Sequence, residues 1–456
     1  MAFARGFRRC TKEAIRSAVS YTPRNGAFPT STLCASASEM SSSSSSTMEL
    51  DAYALTSKNQ YAAHTHTRSL LQSSMERLAQ RCQFEDQASC MDGTPRRRRR
   101  LVDLGAADGT SSMATLQFAV AALNQSIQSR SSIDEGPIPL HVTFEEHPAS
   151  DERKLRSTLD SHNKWFERND VARDVLMRSF YEPLFRPESV DFFMSYICLH
   201  WLDSATCEDI ASWKGLGIDD NEQNLLLNFT QINETSAPDS AREHWRTNLA
   251  HRHLAKFLAL RAKEMRPGAE AILVMVGHPH GFLAPDDGGP GPLTRAMTRC
   301  VERGDVREDV LRRTVIPYFL RDENDARAAF DMAADIEVPN DSIGVAASDT
   351  ENSSHPGALL ELIDCHSFQF KTKGTGADVI GDTFDLFWSI HSNSVVSSGA
   401  LADELNIVKE ETKRVFYELY DAEKGVSSTF VALVVRKRTR TKWEGSARCD
   451  GSESLT

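Results

Sequence analysis

Short apolar runs alternate along this chain with longer segments in which apolar residues recur at helical spacing. The apolar runs have the length of buried strands, and the clearest of them are residues 101–104, 140–144, 190–196 and 271–276. Helical spacing marks the segments around them, which are residues 52–83, 110–123, 151–169 and 241–265. Strands that alternate with helices at this interval predict an α/β fold with a doubly wound, mostly parallel sheet.

The C-terminal part of the chain adds two further apolar runs. Residues 365–370 and 429–435 are predicted strands, which we expect to close the sheet as an antiparallel edge. The segments 293–335 and 380–425 are interpreted as helical insertions.

The first 38 residues differ in composition from the rest. They contain six basic residues and a single acid, Glu13, and a serine run at 41–46 comes soon after them. Segments that are rich in arginine and serine and poor in acids are typical of organellar transit peptides, which predicts a mitochondrial or plastid destination. The alternative is a disordered extension that carries no address, and a start at Met40 or Met48 would give a cytoplasmic product.

Composition and charge narrow the function classes. Of the 456 residues, 40% are apolar and 25% are charged, which is ordinary for a soluble globular protein. The net charge of −12 argues against nucleic acid or an anionic membrane as the main partner, and no apolar run is long enough to span a bilayer. The nine cysteines form no Cys-x-x-Cys pair, and no histidine pair has an acid or thiol at ligand spacing, so we expect neither disulfides nor a metal site. Five consecutive arginines at 96–100 are interpreted as a solvated loop.

A glycine-containing loop follows the first predicted strand. Residues 101–109 read Leu-Val-Asp-Leu-Gly-Ala-Ala-Asp-Gly, and Gly105 and Gly109 allow a tight turn and the close approach of a ligand. The loop lies at the carboxyl end of a strand, where open α/β sheets bind ligands. Its spacing differs from the Gly-x-Gly-x-x-Gly of dinucleotide sites, which argues against a dehydrogenase. Asp103 and Asp108 favour a cationic ligand with a free amino group over a phosphate, and S-adenosylmethionine is such a ligand.

Two acids end the second predicted strand, at Glu145 and Glu146. An acid in this position can accept hydrogen bonds from both ribose hydroxyls of an adenosine, as in nucleotide sites. The alternative is a pair of solvated charges at a strand end. The loop and the acid together favour an S-adenosylmethionine site.

Four separated blocks of the sequence resemble one known family. Residues 53–60 resemble its Tyr-Ala-x-Asn-Ser-x-x-Gln, and residues 103–109 resemble its Asp-Leu-Gly-Cys-Ser-Ser-Gly. Residues 178–187 resemble its Gly-Ser-Phe-Tyr-Gly-Arg-Leu-Phe-Pro, and residues 191–202 resemble a strand that ends Ser-Ser-Tyr-Ser-Leu-x-Trp-Leu. Because the four blocks occur in the family's order, over about residues 50–435, the chain resembles the SABATH methyltransferases, the salicylate, jasmonate and theobromine type.

The resemblance implies a fold, a reaction and a set of site residues. The fold is a Rossmann-like class I methyltransferase sheet with an α-helical cap. The usual reaction moves a methyl group from S-adenosyl-L-methionine to the carboxylate of a small organic acid, giving a methyl ester, and homodimers are common. The family's cofactor contacts fall on Ser57, Asp103, Gly105, Glu146, Ser179, Phe180 and Ser195. Its substrate contacts fall on Gln60 and Trp201, which bind the carboxylate, and on His200, a pocket position.

Composition and the resemblance together divide the chain into four parts. They are an extension at 1–47, a methyltransferase core at 48–292, cap segments and closing strands at 293–435, and a disordered tail at 436–456.

Two alternative functions remain at this level. Some members of the family methylate a ring nitrogen, and a nitrogen or phenol acceptor would need a base, for which His200 is the nearest candidate. The second alternative is a catalytically silent S-adenosylmethionine-binding protein. It is suggested by departures from the family pattern, such as Ala106 and Ala107 in place of a cysteine and a serine.

Overall fold

The structure is a computed structural model. It describes residues 61–91, 96–130, 137–148, 150–202, 239–279, 289–314, 316, 318–338, 356–372, 377–420 and 426–439. These residues belong to one compact unit, Ser46–Thr456. The predicted extension, the predicted contacts Ser57 and Gln60, and the chain beyond residue 439 lie outside the described residues, so those predictions remain predictions.

Within the described residues, seven strands form one sheet. They are β1 (Arg99–Leu104), β2 (Leu140–Glu146), β3 (Val171–Met177), β4 (Val190–Tyr196), β5 (Met265–Val276), β6 (Leu360–Thr372) and β7 (Val426–Lys437). Their spatial order is β3-β2-β1-β4-β5-β7-β6, in which the first five strands are parallel and β7 runs antiparallel to both β5 and β6. The predicted mostly parallel sheet with an antiparallel edge is confirmed.

Helices cover both faces of the sheet. They are α1 (Arg68–Met91), α2 (Thr110–Gln128), α3 (Glu152–Ser161), α4 (Asn163–Arg168), α5 (Asp239–His244), α6 (Arg252–Glu264), α7 (Pro292–Glu302), α8 (Glu308–Arg313), α9 (Glu323–Met332), α10 (Ala377–Ser397) and α11 (Ala402–Leu419). Because side chains alternate along a strand, Leu101 packs with α1, α2 and α10 on one face, and Val102 packs with α6 and α9 on the other. No helix in the described ranges is both long and apolar enough to cross a membrane.

The structure corrects the predicted elements at three places. The strand β3 was not predicted, because it has no apolar run: it lies at the edge of the sheet and carries the charged Arg173 and Asp174. The helix predicted at 151–169 is divided into α3 and α4. The helix predicted at 241–265 contains a π-helical stretch, Trp245–His251, between α5 and α6.

The arginine run at 96–100 is a solvated loop only in part. Arg96 and Arg98 are exposed, but Arg97 is half-buried and Arg99 and Arg100 belong to β1, so the interpretation is wrong for these three residues. The Arg97 guanidinium lies 2.6 Å from the carboxylate of Asp191, whose side chain is completely buried. Arg99 is also buried and lies 2.5 Å from Asp86 of α1. These ion pairs attach the start of β1 to α1 and β4, and partners this distant in sequence cannot be identified from the run itself.

Candidate active site

The loop after β1 and the turn after β4 meet at one edge of the sheet, because β1 and β4 are neighbouring parallel strands although they are far apart in the chain. From β1 the chain proceeds outward through β2 and β3, and it then returns to β4 on the opposite side of β1. In doubly wound sheets, such a reversal opens a crevice in which ligands bind. The loop after β1 and the turn after β4 therefore form the candidate site.

The loop after β1 requires glycine at both predicted positions. Gly105 has a φ of +75° and Gly109, which precedes α2, has a φ of +83°, and both lie in the left-handed region that favours glycine. A Cβ added to Gly105 would lie 2.7 Å from Cys198 Sγ, so the loop directly contacts the turn after β4. The backbone N–H groups of Gly105 and Ala106 both donate to the Glu145 carbonyl, at 3.0 and 2.9 Å. The loop is thus fixed to β2 on one side and to the end of β4 on the other.

The two acids that end β2 also hold this loop through their side chains. Glu145 is completely buried, and its Oε2 accepts a hydrogen bond from the Gly105 N–H at 3.1 Å. Glu146 is half-buried, and its Oε2 accepts from the Ala107 N–H at 2.6 Å. Its other oxygen accepts from the Ser150 hydroxyl at 2.8 Å. The predicted ribose acid Glu146 therefore lies beside the loop, together with a second acid to which the sequence analysis gave no separate role.

Asp103 lies at the same edge of the sheet with its side chain almost completely buried. Its Oδ2 has no hydrogen-bond partner among the residues that the structure describes. Burial raises the pKa of Asp103 to about 7; a hydrogen bond from Ser112 opposes this rise and the charge of Glu146 adds to it. Burial, and then the charge of Glu146, also raises the pKa of Glu145 well above its usual range. A buried acid cluster with an orphaned carboxylate oxygen fits a cationic ligand, because a positive charge there offsets the cost of ionisation.

The predicted contacts Ser179 and Phe180 follow β3 and lie beside the end of β2. The Arg178 N–H donates to the Glu146 carbonyl at 3.0 Å, which places this turn next to the acids. The half-buried ring of Phe180 meets Phe257 of α6 edge to face, with ring centroids 5.9 Å apart. Packing on α6 thus fixes the position of Phe180 at the site.

Ser195 lies in β4 but is completely buried. Its hydroxyl is 2.8 Å from Cys198 Sγ, which in turn donates to the Leu104 carbonyl at 3.4 Å. Burial raises the pKa of Cys198 well above its ordinary value, so this thiol stays protonated. Ser195 therefore supports the contact between Cys198 and Gly105, and its predicted contact with the cofactor remains a prediction.

The turn after β4 is held at three successive carbonyl groups, those of residues 199, 200 and 201. The donors are, in that order, the Arg321 guanidinium at 2.7 Å, the Phe319 backbone N–H at 2.9 Å and the Tyr181 hydroxyl at 2.6 Å. Arg321 is completely buried. We call this arrangement the carbonyl clamp. Because it fixes three peptide planes, it also fixes the directions in which the His200 and Trp201 side chains leave the backbone.

Beyond the clamp, the side chains of His200 and Trp201 join an aromatic cluster. The ring centroid of Trp201 is 5.4 Å from that of His200 and 5.6 Å from that of Tyr318, which it meets edge to face. Tyr318 lies 5.8 Å from His391 of α10, again between ring centroids. The cluster thus connects the turn after β4 to a helix of the predicted cap.

Sequence reasoning missed part of this site. The residues it left without a role are Tyr181, Tyr318 and Arg321, and it gave Glu145 no role separate from that of Glu146. Glu145 stands next to a predicted acid and Tyr181 lies within the 178–187 block, so both had a signal, whereas the segment around Tyr318 belongs to no block. Across the described ranges, no group of histidine, cysteine, aspartate or glutamate side chains is arranged to hold a metal ion.

Comparisons with known proteins agree with this geometry. A family model described as SAM dependent carboxyl methyltransferase matches residues 47–354. Methyltransferase FUS9 of Gibberella moniliformis is 24% identical over 253 residues, which are 54% of this chain and 60% of that protein. The chain therefore spans about three fifths of the length of that curated relative. The solved structure of loganic acid methyltransferase with SAH is similar in fold, with a TM-score of 0.55 and 16% identity, over 75% of this chain and 85% of that one.

The family match extends over more than half of the 456 residues and includes both the loop after β1 and the turn after β4. It confirms the predicted resemblance and the predicted cofactor, S-adenosyl-L-methionine. The similarity to the solved enzyme confirms the class I methyltransferase fold. The chain belongs to the S-adenosylmethionine-dependent carboxyl methyltransferase family.

Proposed function

We propose that this protein transfers the methyl group of S-adenosylmethionine to the carboxylate of a small organic acid, giving a methyl ester. One observation carries the proposal. The loop that lies beside the orphaned Asp103 oxygen directly contacts Cys198, which is three residues before Trp201. An acid suited to a cationic donor and an N–H group suited to an anionic acceptor therefore lie on adjacent, touching segments.

The residues around the loop fit the donor. Asp103 would pair with the amino group and Glu146 would accept hydrogen bonds from the ribose, while Phe180 would cover one face of the adenine and Ser179 would bond its edge. When bound, S-adenosylmethionine supplies a methyl group on a positively charged sulfur, which is already an activated leaving group. The chain's own residues then have to bind, orient and exclude water.

The acceptor needs orientation rather than a base. A carboxylic acid with a pKa of about 4 is already ionised at pH 7. The Trp201 indole N–H and the Gln60 amide are neutral donors, so they orient a carboxylate without holding it as tightly as an arginine would. Placing the attacking oxygen at near-attack distance can contribute on the order of 7–11 kcal/mol to catalysis. The carbonyl clamp supports this role because it fixes the backbone that carries Trp201.

The relatives are consistent with an acid as the acceptor. The description of the matching family refers to carboxyl methylation, and the solved relative is named for methylating loganic acid. The aromatic cluster around Trp201 offers an apolar wall to the carbon skeleton of such an acid.

The test is a turnover assay with the purified chain, S-adenosylmethionine and a panel of small carboxylic acids. We expect release of S-adenosylhomocysteine and a product that mild alkali hydrolyses, as it does an ester but not an N-methyl or aryl ether bond. The variants Trp201→Phe and Gln60→Ala should lower kcat/KM by about 100-fold, the cost of misplacing a reactant by about 1 Å, and should leave the affinity for S-adenosylhomocysteine unchanged.

The matched control is Trp165→Phe, because Trp165 lies on α4, which packs against the edge strand β3. If Trp201→Phe and Gln60→Ala turn over as fast as this control, the roles given to those two residues are wrong. If no acid is methylated although S-adenosylhomocysteine binds, the proposed reaction itself is wrong.

A further inference from the structure

His391, on the cap helix α10, has one ring nitrogen engaged and one unsatisfied. The residue is 3% exposed, and its Nδ1 lies 2.6 Å from the Phe387 carbonyl oxygen, one helical turn earlier. A carbonyl only accepts hydrogen bonds, so the proton of the neutral ring must sit on Nδ1, and Nε2 therefore carries a lone pair. Burial lowers the pKa of His391 to about 4, so the ring remains neutral at physiological pH.

Nε2 of His391 is buried and has no hydrogen-bond partner in the part of the chain that the structure describes. Leaving a buried acceptor unsatisfied costs free energy, and native proteins rarely do so without a functional reason. The missing partner must donate a hydrogen bond, because Nε2 can only accept one. A carboxylate, a carbonyl or an ether therefore cannot supply it.

The position of His391 relates this unsatisfied atom to the acceptor. Its ring centroid is 5.8 Å from that of Tyr318, and the Tyr318 ring is in edge-to-face contact with Trp201, 5.6 Å away. A single aromatic ring thus separates His391 from the residue proposed to bind the carboxylate. An organic acid that binds at Trp201 and extends past Tyr318 would come close to the His391 ring.

The partner is better a hydroxyl than an amine. The surroundings of His391 are aromatic, with Phe387 at 4.0 Å and Tyr318 at 5.8 Å between ring centroids, and a protonated amine would have to lose its hydration there. A neutral hydroxyl loses much less on burial and donates the hydrogen bond that Nε2 requires.

We propose that His391 Nε2 accepts a hydrogen bond from a hydroxyl group of the acceptor, and that the substrate class of this enzyme is hydroxy acids with the hydroxyl remote from the methylated carboxylate. The inference rests on the proposed function, because it concerns the far end of the same acceptor.

The experiment measures kcat/KM for pairs of carboxylic acids that share one skeleton and differ only in a remote hydroxyl. The wild-type enzyme should prefer the hydroxylated member of at least one pair by about fivefold or more, as expected for one buried neutral hydrogen bond. His391→Phe keeps an aromatic ring and removes Nε2, so the ratio of kcat/KM between the two members of the pair should fall to about one. His391→Gln provides another hydrogen-bond acceptor and should restore part of the preference.

His366→Phe is the matched control, because the His366 side chain is 40% exposed on β6 and should leave the preference unchanged. Equal rates within every pair for the wild-type enzyme, or a preference that survives in a folded His391→Phe variant, would overturn the inference. Calorimetric binding of S-adenosylhomocysteine reports whether each variant is folded. These outcomes differ from a failure of the proposed function, in which no acid of any kind is methylated.

Discussion

Replacing Gly105 by alanine tests the steric reasoning on which the candidate site depends. The structure predicts two separate penalties, a backbone penalty because φ is +75° and a contact penalty because the new Cβ would lie 2.7 Å from Cys198 Sγ and 2.8 Å from Cys198 Cβ. Gly304 is a matched control within the same chain. Its φ is +77°, almost the same value, but no atom lies within 4 Å of a Cβ placed there.

The expected magnitudes differ because only one of the two sites is crowded. The left-handed backbone costs a non-glycine residue about 1–2 kcal/mol. Replacing glycine also restricts the unfolded chain, which offsets about 0.4–1 kcal/mol of that cost. Overpacking against Cys198 adds about 1–3 kcal/mol for Gly105 alone. We therefore expect Gly304→Ala to lower the free energy of unfolding by about 0–1.5 kcal/mol, and Gly105→Ala by about 1–4.5 kcal/mol.

Urea denaturation measures the free energy of unfolding of both glycine variants, and calorimetric titration measures their affinity for S-adenosylhomocysteine. Gly105→Ala should weaken this binding because the loop must move away from the turn after β4, whereas Gly304→Ala should leave it unchanged. Cys198→Ala in the Gly105→Ala background should recover part of the stability, since it removes the nearer of the two contacting atoms. Equal losses for the two glycine variants, with equal binding, would refute the proposed contact between the loop and the turn.

Three further predictions concern the clamp, the acid cluster and the arginine run. Tyr181→Phe removes the hydroxyl that donates to the Trp201 carbonyl at 2.6 Å. Because Trp201 is then less well positioned, kcat/KM for the acid should fall by about 10-fold or more, while the affinity for S-adenosylhomocysteine stays unchanged. Kinetics equal to those of the wild-type enzyme would contradict the role of the clamp. Because the pKa of Asp103 is about 7, its carboxyl group is mostly protonated below that pH, so the affinity for S-adenosylmethionine should rise between pH 6 and 8. Calorimetric titration measures this rise, which Asp103→Asn should abolish. A rise that persists in the variant would exclude Asp103 as its source. The raised pKa also predicts that, without cofactor, the free energy of unfolding falls as pH rises from about 4 to about 7, because the unfolded chain releases the Asp103 proton at lower pH than the folded protein does. Asp191→Ala removes the completely buried carboxylate that pairs with Arg81 and Arg97 and leaves them, among the described residues, only their ion pairs with Glu85. It should cost up to about 3–5 kcal/mol in urea denaturation. Arg98→Ala, at a surface ion pair, should cost about 0–1 kcal/mol, and similar costs for both variants would contradict the buried network.

The local hydrophobic pattern was enough to predict most of the sheet. Strands buried on both faces, such as β1 and β4, contain short uninterrupted apolar segments, Leu101-Val102 and Phe192-Phe193-Met194, which differ from the amphipathic helices around them. The same reasoning missed β3, because an edge strand needs few apolar residues and its charged side chains interrupt any run. It also missed the π-helical stretch Trp245–His251, since its large buried apolar residues Trp245 and Leu249 are four residues apart, a spacing that also fits an α-helix.

The arginine run shows a different limit of sequence reasoning. A run of five arginines is the same in sequence whether its side chains are solvated or form ion pairs with distant acids. The partners that decide the matter here, Asp86 and Asp191, come from α1 and β4 and reach the run only after the chain has folded. Charge along the chain therefore predicted an exposed loop where the structure has an ion-pair network.

The sequence by itself determined the glycine loop, the acids beside it and the family, because these depend on residue types at short, fixed spacings. Only the tertiary structure decided how the acceptor side is built. The carbonyl clamp takes its donors from Tyr181, Phe319 and Arg321, and the unsatisfied nitrogen of His391 is defined by a helix near the end of the chain. These residues come from segments that are far apart in the chain, and they become neighbours only through the strand order of the sheet and the packing of the helices on it. Spacing along the sequence therefore cannot predict that they lie together.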